Sequence, residues 1–288
     1  MNISMYAQFS NMVIQKGIEE TAAYAAGLGF SSVEVFEDCI NSVQWSFPDV
    51  ASATAAKEVL NEYGLTVSCY SAYVNAWNQK NSVNRAIEML EIVSALGCPY
   101  FHHTLLPWIV MDADSPSFEE GIEEALNEAE RIANHAKNLG ITCLYEDQGH
   151  YVNGVKGFGV FFKEIKRRCK NVGVCGDFGN IMFEDEKPED FLEAYAEHIR
   201  HVHVKDYLQK KSEASPGRGW INAKGDIWLR ETIVGTGNVD IGACMKVLEK
   251  AGYRGAYALE LGHTEPFEEG VNQAMKCLET WQERINRS

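Results

Sequence analysis

Residues 199–206 read Ile199-Arg200-His201-Val202-His203-Val204-Lys205-Asp206, and the alternation in this stretch decides how the chain folds. Successive side chains of a β-strand point to opposite faces. His201, His203 and Lys205 therefore share one face, and Val202 and Val204 share the other. The apolar face has to meet a shell of helices, so the polar face looks inward. A strand of this kind belongs to a closed sheet whose interior holds chemistry.

Three more strand-like runs end in the same way. Residues 141–150, ITCLYEDQGH, reach Glu146; residues 172–180, VGVCGDFGN, reach Asp177; residues 255–263, GAYALELGH, reach Glu260. Asp177 shares its face with Cys175 and Gly173, and Glu260 with Ala258 and Ala256. These small groups suit a crowded barrel interior, while Tyr257 and Leu259 point to the helices.

The same period runs the length of the chain. Strands are expected near 2–7, 31–36, 65–72, 100–104, 141–146, 172–177, 199–205 and 255–260. Helices are expected near 15–28, 49–63, 80–96, 118–139, 157–170, 187–198, 240–251 and 268–285. Ser117 precedes the acidic first turn of one helix, and Gly27, Gly64, Gly97, Gly140 and Gly252 close others. Eight such βα units predict an α/β fold, a single (β/α)8 TIM barrel domain over residues 1–288. One interval is too long: residues 207–240 carry an insertion with Pro216, Trp220 and Trp228, expected to act as a loop or lid. No GxGxxG opens a helix after the first strand, and Gly235-Thr236-Gly237 follows no clear strand, so nucleotide binding has little support.

Composition removes other classes. The chain has 26 basic and 41 acidic residues, a net charge of −15. Nucleic-acid binding needs a basic patch that displaces counterions from phosphates. The basic runs Lys166-Arg167-Arg168 and Lys210-Lys211 are short and separated, and read as solvated faces. The eight cysteines include no CxxC pair; Cys69, Cys143 and Cys175 fall inside apolar runs. With no signal peptide and no apolar stretch of membrane-spanning length, a reducing cytoplasm and no membrane partner are expected. A homo-oligomer is compatible with these features.

Active sites of (β/α)8 barrels lie at the C-terminal ends of the strands. Glu146, Asp177, His203 and Glu260 end four consecutive barrel strands there. Three inward carboxylates repel one another in a low-dielectric site, and Lys205 can neutralise one of them but not all. One divalent metal ion resolves the conflict, and the O/O/O/N donor set favours Mn2+, Co2+ or Mg2+ over Zn2+, with Mn2+ expected first.

At these residues the sequence resembles the sugar isomerase/epimerase superfamily of xylose-isomerase-like barrels, nearest the ketose 3-epimerase and related branch. The specific parts are Glu146, Gly176-Asp177-Phe178-Gly179-Asn180, the HVHVKD segment at 201–206, the Glu of ALELGH, and Gly235-Thr236-Gly237 followed by Asp240. The resemblance implies that Glu146 and Glu260 bind the metal and also act as acid and base. The implied activity is epimerisation or isomerisation of a keto sugar or polyol, by proton transfer through a metal-stabilised enediolate. Where that branch carries a His and an Arg, this chain has Asn180 and Gln209. Asn180 is then expected to bind a substrate hydroxyl, and Arg218 in the insertion to take the arginine's place.

Further substrate contacts are expected from His150, four residues after Glu146, and from Lys205. Five of the six tryptophans, Trp45, Trp77, Trp108, Trp220 and Trp228, fall in loops at the site end, and Trp108 is taken as a candidate for packing against sugar C–H faces. Glu34, His102, His103 and His150 lie near strand ends, and one of His102 and His103 must point away from the axis. Glu265, Glu268 and Glu269 follow the last strand and would repel phosphate, so the substrate is expected to be an unphosphorylated, sugar-like small molecule. The second enzymatic reading is a metal-dependent lyase or dehydratase acting on a dehydroshikimate- or keto-inositol-like substrate. An endonuclease IV-like reading is disfavoured by the acidic charge and the small ligand set, and a purely binding module leaves the two glutamates without a purpose.

Overall fold

In the computed structural model, which describes residues 1–42, 44–107, 115–262 and 266–287, short apolar-backed strands alternate with amphipathic helices and close on themselves. The barrel strands are β1 (Asn2–Met5), β2 (Ser32–Asp38), β3 (Thr66–Tyr73), β4 (Tyr100–His103), β5 (Thr142–Tyr145), β6 (Val172–Asp177), β7 (Ile199–Val204) and β11 (Ala256–Leu259). They pair in parallel in the order β1-β11-β7-β6-β5-β4-β3-β2, and β1 pairs with β2 to complete the barrel. The outer shell is α1 (Gln8–Lys16), α2 (Ile18–Gly27), α3 (Val50–Glu62), α4 (Lys80–Ala95), α5 (Phe118–Asn138), α6 (Val155–Arg168), α7 (Pro188–Tyr195), α8 (Ile241–Lys250) and α9 (Phe267–Asn286).

The main apolar core lies between barrel and helices, as the outward valines require. Val33, Val35, Val174, Val202 and Val204 are fully buried there. Inside the barrel, Cys69, Leu144 and Cys175 form a separate small cluster with Tyr100 against it. Small inward groups leave room for the polar layer above. Helix starts follow local chemistry: Ser117 accepts from the Glu120 N–H of α5, and Glu120 returns a bond to the Ser117 N–H.

Two elements differ from the sequence reading. The helix expected over 15–28 is two helices, because Gly17 sits at φ +84°, a left-handed conformation that ends α1 before α2 begins. The insertion is not a bare loop. It forms an antiparallel sheet of β8 (Asp206–Lys211), β9 (Ile221–Asn222) and β10 (Ile227–Thr232), in the order β8-β10-β9. Ile227 and Leu229 supply its buried face, a period-2 signal masked in sequence by the intervening Trp228.

Asp206, the first residue of β8, closes the two ends of this insertion on each other. Its Oδ1 accepts from the backbone N–H groups of Tyr207 (2.9 Å) and Val239 (3.1 Å), and its Oδ2 from those of Gly235 (3.0 Å) and Gly237 (2.8 Å). A Cβ at position 237 would collide with the Asp206 carboxylate, so the Gly-Thr-Gly turn exists for close approach to that side chain. On the opposite edge, the Lys224 N–H donates to the Phe183 carbonyl at 2.9 Å, and Lys224 Nζ lies 3.1 Å from Glu184.

Candidate active site and metal centre

The inward faces of β2, β3, β4, β5, β6, β7 and β11 bring their polar residues to one layer. Strand register explains the meeting: Asp177 pairs beside His203, His203 beside Ala258, and Ser71 beside His102. The small Ala258 leaves the His203 ring space to turn toward its neighbours.

Three carboxylates converge on a single nitrogen. His203 Nδ1 lies 3.1 Å from Glu146 Oε2, 3.4 Å from Glu260 Oε2 and 3.9 Å from Asp177 Oδ2. Among the described residues, three groupings that include His203 have ligand atoms within 4.8 Å of one another: Glu34, His201 and His203; His102, Glu146 and His203; and Asp177, His203 and Glu260. Glu146 and Glu260 thus flank the imidazole in different company. Asp177 Oδ2 is within ion-pair distance of Lys205 Nζ (3.2 Å) yet makes no hydrogen bond, while its Oδ1 accepts the N–H groups of Gly179 and Asn180. Three carboxylate oxygens within 3.9 Å of one imidazole nitrogen are a donor set that suits a divalent cation, which would be held by Glu146, Asp177, His203 and Glu260.

A deeper layer supports this one. Glu34, fully buried on β2, accepts from His201 Nε2 at 2.6 Å and from His203 Nε2 at 3.1 Å. Ser71 Oγ donates to the same Glu34 Oε1. Burial alone would push the Glu34 carboxyl up, but His201 and His203 hold it well below the usual carboxylate range. Burial likewise opposes ionisation of Glu146, but the neighbouring His102 and His203 outweigh it and draw the group well down. Asp177 goes the other way, to about 6, because burial and the neighbouring Glu260 and Glu146 outweigh Lys205. Asp147 is raised well above its ordinary value by burial, Asp177 and Glu146, and neither of its oxygens has a hydrogen-bond partner.

Above the layer opens a cavity of about 720 Å³, within the range of small-molecule sites. Its wall includes Tyr6, Gln8, His102, Glu146, Glu231 and Glu260. No Lys or Arg lies among the described residues of the wall. Tyr6 covers His203 with ring centroids 4.8 Å apart. Glu231 arrives from β10 and accepts the Gly262 N–H at 3.0 Å, so the insertion contributes directly to the wall.

The structure sorts the remaining sequence candidates. Lys205 is buried and bridges Asp177 and Glu260 (2.8 Å to Glu260 Oε1), and its Nζ also donates to Asn180 Oδ1 at 3.1 Å. Burial would lower the Lys205 pKa, but Asp177 and Glu260 raise it well above the usual value. Asn180 is buried beside it and does not reach the cavity wall. His150 and Arg218 are exposed and lie outside the wall, because each sits in a turn directed to solvent. Trp108 lies outside the described residues. The described loop tryptophans pack elsewhere: Trp45 under Arg85, Trp220 under Arg230, Trp77 on the core, and Trp228 with its Nε1 on the Ser212 carbonyl. The aromatic wall is instead Tyr6, Phe36 and Tyr73. Of the two adjacent histidines, His102 faces the site, with Nε2 3.5 Å from Glu146 Oε1. His103 turns out against Phe101 and Tyr145. Glu34, Ser71, Tyr6 and Glu231 had no assigned role in the sequence reading. Glu34 was open to the same argument as His203, since it sits between two fully buried valines, Val33 and Val35.

The chain belongs to the xylose isomerase-like TIM barrel family, whose profile matches residues 22–281. It is 26% identical over 110 residues to an inosose dehydratase of Clostridium perfringens (strain 13 / Type A), a stretch covering 38% of this chain and 37% of that protein. Among solved structures it is similar to an L-ribulose 3-epimerase, with a TM-score of 0.74 and 17% identity over 100% of this chain and 96% of the other. It is also similar to a xylose isomerase-like TIM barrel protein from Mycobacterium smegmatis in complex with magnesium, with a TM-score of 0.67 and 15% identity over 93% and 89% of the two chains. Among the described residues, no helix is long and apolar enough to cross a membrane.

Proposed function

We propose that this protein is a divalent-metal-dependent epimerase or isomerase of an unphosphorylated keto sugar or polyol. The observation that carries the reading is the convergence of Glu146, Asp177 and Glu260 on His203 Nδ1 beneath a cavity of small-molecule size. A divalent cation bound by these four residues would supply Lewis-acid stabilisation of negative charge on a substrate oxygen. The chain's own groups handle the proton. Glu146 and Glu260 both line the cavity and approach His203 in separate groupings, so one can take a proton from the carbon next to a carbonyl while the other returns one. Return to the opposite face of the same carbon gives an epimer; return to the neighbouring carbon gives an aldose–ketose pair. Lys205 holds Glu260 and Asp177 in place, and Tyr6 shields the His203 ring from water. Glu146, Glu231 and Glu260 on the wall, with no described Lys or Arg, oppose an anionic substrate.

A dehydratase acting on a keto-inositol is the second reading, favoured by the 110-residue similarity to inosose dehydratase. It shares the first step, removal of a proton beside the carbonyl, and then expels a β-hydroxyl as water. Incubating the Mn2+-loaded protein in D2O with ketoses, keto-inositols and dehydroshikimate separates the two. Deuterium in an epimer or isomer supports the first reading, and loss of water supports the second. Absence of exchange with every keto substrate, or a clear preference for phosphorylated ketoses, would overturn the proposal. Glu260→Gln should abolish exchange while retaining part of the metal affinity.

A further inference from the structure

His102 Nε2 is a buried nitrogen with no hydrogen-bond partner in the protein, and His102 lines the cavity. Donor and acceptor bookkeeping from the barrel floor upward shows why. The Glu34 carboxylate has only lone pairs to offer, so each of its partners must donate. Those partners are His201 Nε2, His203 Nε2 and Ser71 Oγ. Ser71 has one hydroxyl hydrogen and it is committed to Glu34. Toward His102 Nδ1, 2.9 Å away, Ser71 can therefore only accept, and Nδ1 must carry the hydrogen. A neutral imidazole carries one N–H, which leaves Nε2 as a bare lone pair. The atom it meets, Glu146 Oε1 at 3.5 Å, is another acceptor and too distant for a hydrogen bond.

We infer that Glu34 and Ser71 hold His102 in the tautomer protonated on Nδ1, so that its Nε2 accepts a hydrogen bond from a substrate hydroxyl placed between it and Glu146. The hydroxyl supplies the one thing that both flanking atoms lack, a donor. His102 is then a substrate-contacting residue, and Glu34 and Ser71 are positioning residues. The same accounting puts a hydrogen on His203 Nε2, toward Glu34, and leaves Nδ1 among the three carboxylates, where it would offer its lone pair to a bound cation. One buried carboxylate thus sets both rings. The hydroxyl as partner rests on the function proposed above; the tautomer does not.

The test uses the full chain with ¹⁵N-labelled histidine, loaded with Mg2+, and long-range ¹H–¹⁵N spectra at neutral pH. The expected result is His102 protonated on Nδ1 and His203 on Nε2. D-fructose or myo-inositol should then shift the His102 Nε2 resonance as it gains a donor. In Ser71→Ala the Nδ1–H pattern of His102 should be lost, and KM for whichever substrate turns over should rise about tenfold, the value of one hydrogen bond. Mg2+ affinity, read by titration, should change less than KM, which confirms that the variant is folded. His102 found protonated on Nε2, or as imidazolium, in the Mg2+-loaded chain would overturn the inference. So would direct coordination of Mg2+ by His102 Nε2, or a Ser71→Ala spectrum and KM like those of the parent. If the spectra are as expected and neither probe shifts Nε2, the tautomer stands and the hydroxyl contact falls. If no substrate turns over, the proposed function falls, while the spectra still decide the tautomer.

Discussion

Replacing Asp206 by Asn changes one oxygen to an amide NH2 and nothing else in shape. In the native protein four backbone N–H groups point at this carboxylate, two at each oxygen. Asparagine keeps one oxygen, so one pair of donors retains a weaker, neutral acceptor. The other pair faces an NH2 group, donor against donor. Hydrogen bonds to a charged acceptor are worth about 1.5–3 kcal/mol each, so the loss of a pair costs about 3–6 kcal/mol. Some outward relaxation of the Gly-Thr-Gly turn offsets part of this, and about 3 kcal/mol is expected. For a domain of this size that corresponds to a fall in Tm of about 5 °C, measured by circular dichroism in a slow thermal scan. Mn2+ affinity should stay close to the parent value, because none of the four bonds reaches the Glu146, Asp177, His203 and Glu260 cluster. A variant melting within about 1 °C of the parent would refute the reasoning, since a buried carboxylate holding four donors would then be contributing nothing.

Other outcomes follow from single features. Saturating Mn2+ at about 100 times its Kd should stabilise the protein by about 2.7 kcal/mol, seen as a rise in Tm, and His203→Ala should abolish that rise. His103 has its pKa lowered to about 3, chiefly by burial, against an ordinary 6.5. A depressed histidine contributes stability that is fully present above about pH 6.5 and is lost as pH falls toward 3. Between pH 7 and 4.5 it should cost the parent about 2–3 kcal/mol more than it costs His103→Phe, measured by urea unfolding at both pH values. Gly262→Ala places a methyl against the Glu231 carboxylate and should cost about 1–3 kcal/mol; adding Glu231→Ala should recover most of that loss, read as a double-mutant cycle.

The barrel was legible because period-2 and helical patterns alternate with few interruptions, and because polar strand endings stood out against valine backing. Glu146, Asp177, His203 and Glu260 could be picked out for that reason. Glu34 was noticed near a strand end but given no role, although its place between Val33 and Val35 carried the same inward signal as His203. His102 was harder. In Tyr100-Phe101-His102-His103 each face carries one aromatic and one histidine, so alternation alone leaves the inward face undecided; pairing of His102 beside Ser71 and Leu144 settles it. Glu231 was out of reach, because its place on the wall depends on how β10 folds back over the barrel and meets Gly262. The loop tryptophans misled for a related reason: an aromatic near the mouth finds an arginine or a core to cover as readily as a sugar.

The insertion is closed at its base by the four backbone bonds to Asp206, and it is fastened to the rest of the molecule at two separated places, at Phe183 and Glu184 through Lys224 and at Gly262 through Glu231. A hinge motion would have to break contacts on opposite flanks at once, which no single pivot allows. The sheet therefore behaves as masonry. On the proposed function, substrate would reach the floor past an inserted side that is already set, and turnover would not be timed by the swing of this segment. Selectivity on that side would then come from fit to a ready-made wall rather than from closure around the correct guest, with a poor substrate turned away by mismatch at Glu231.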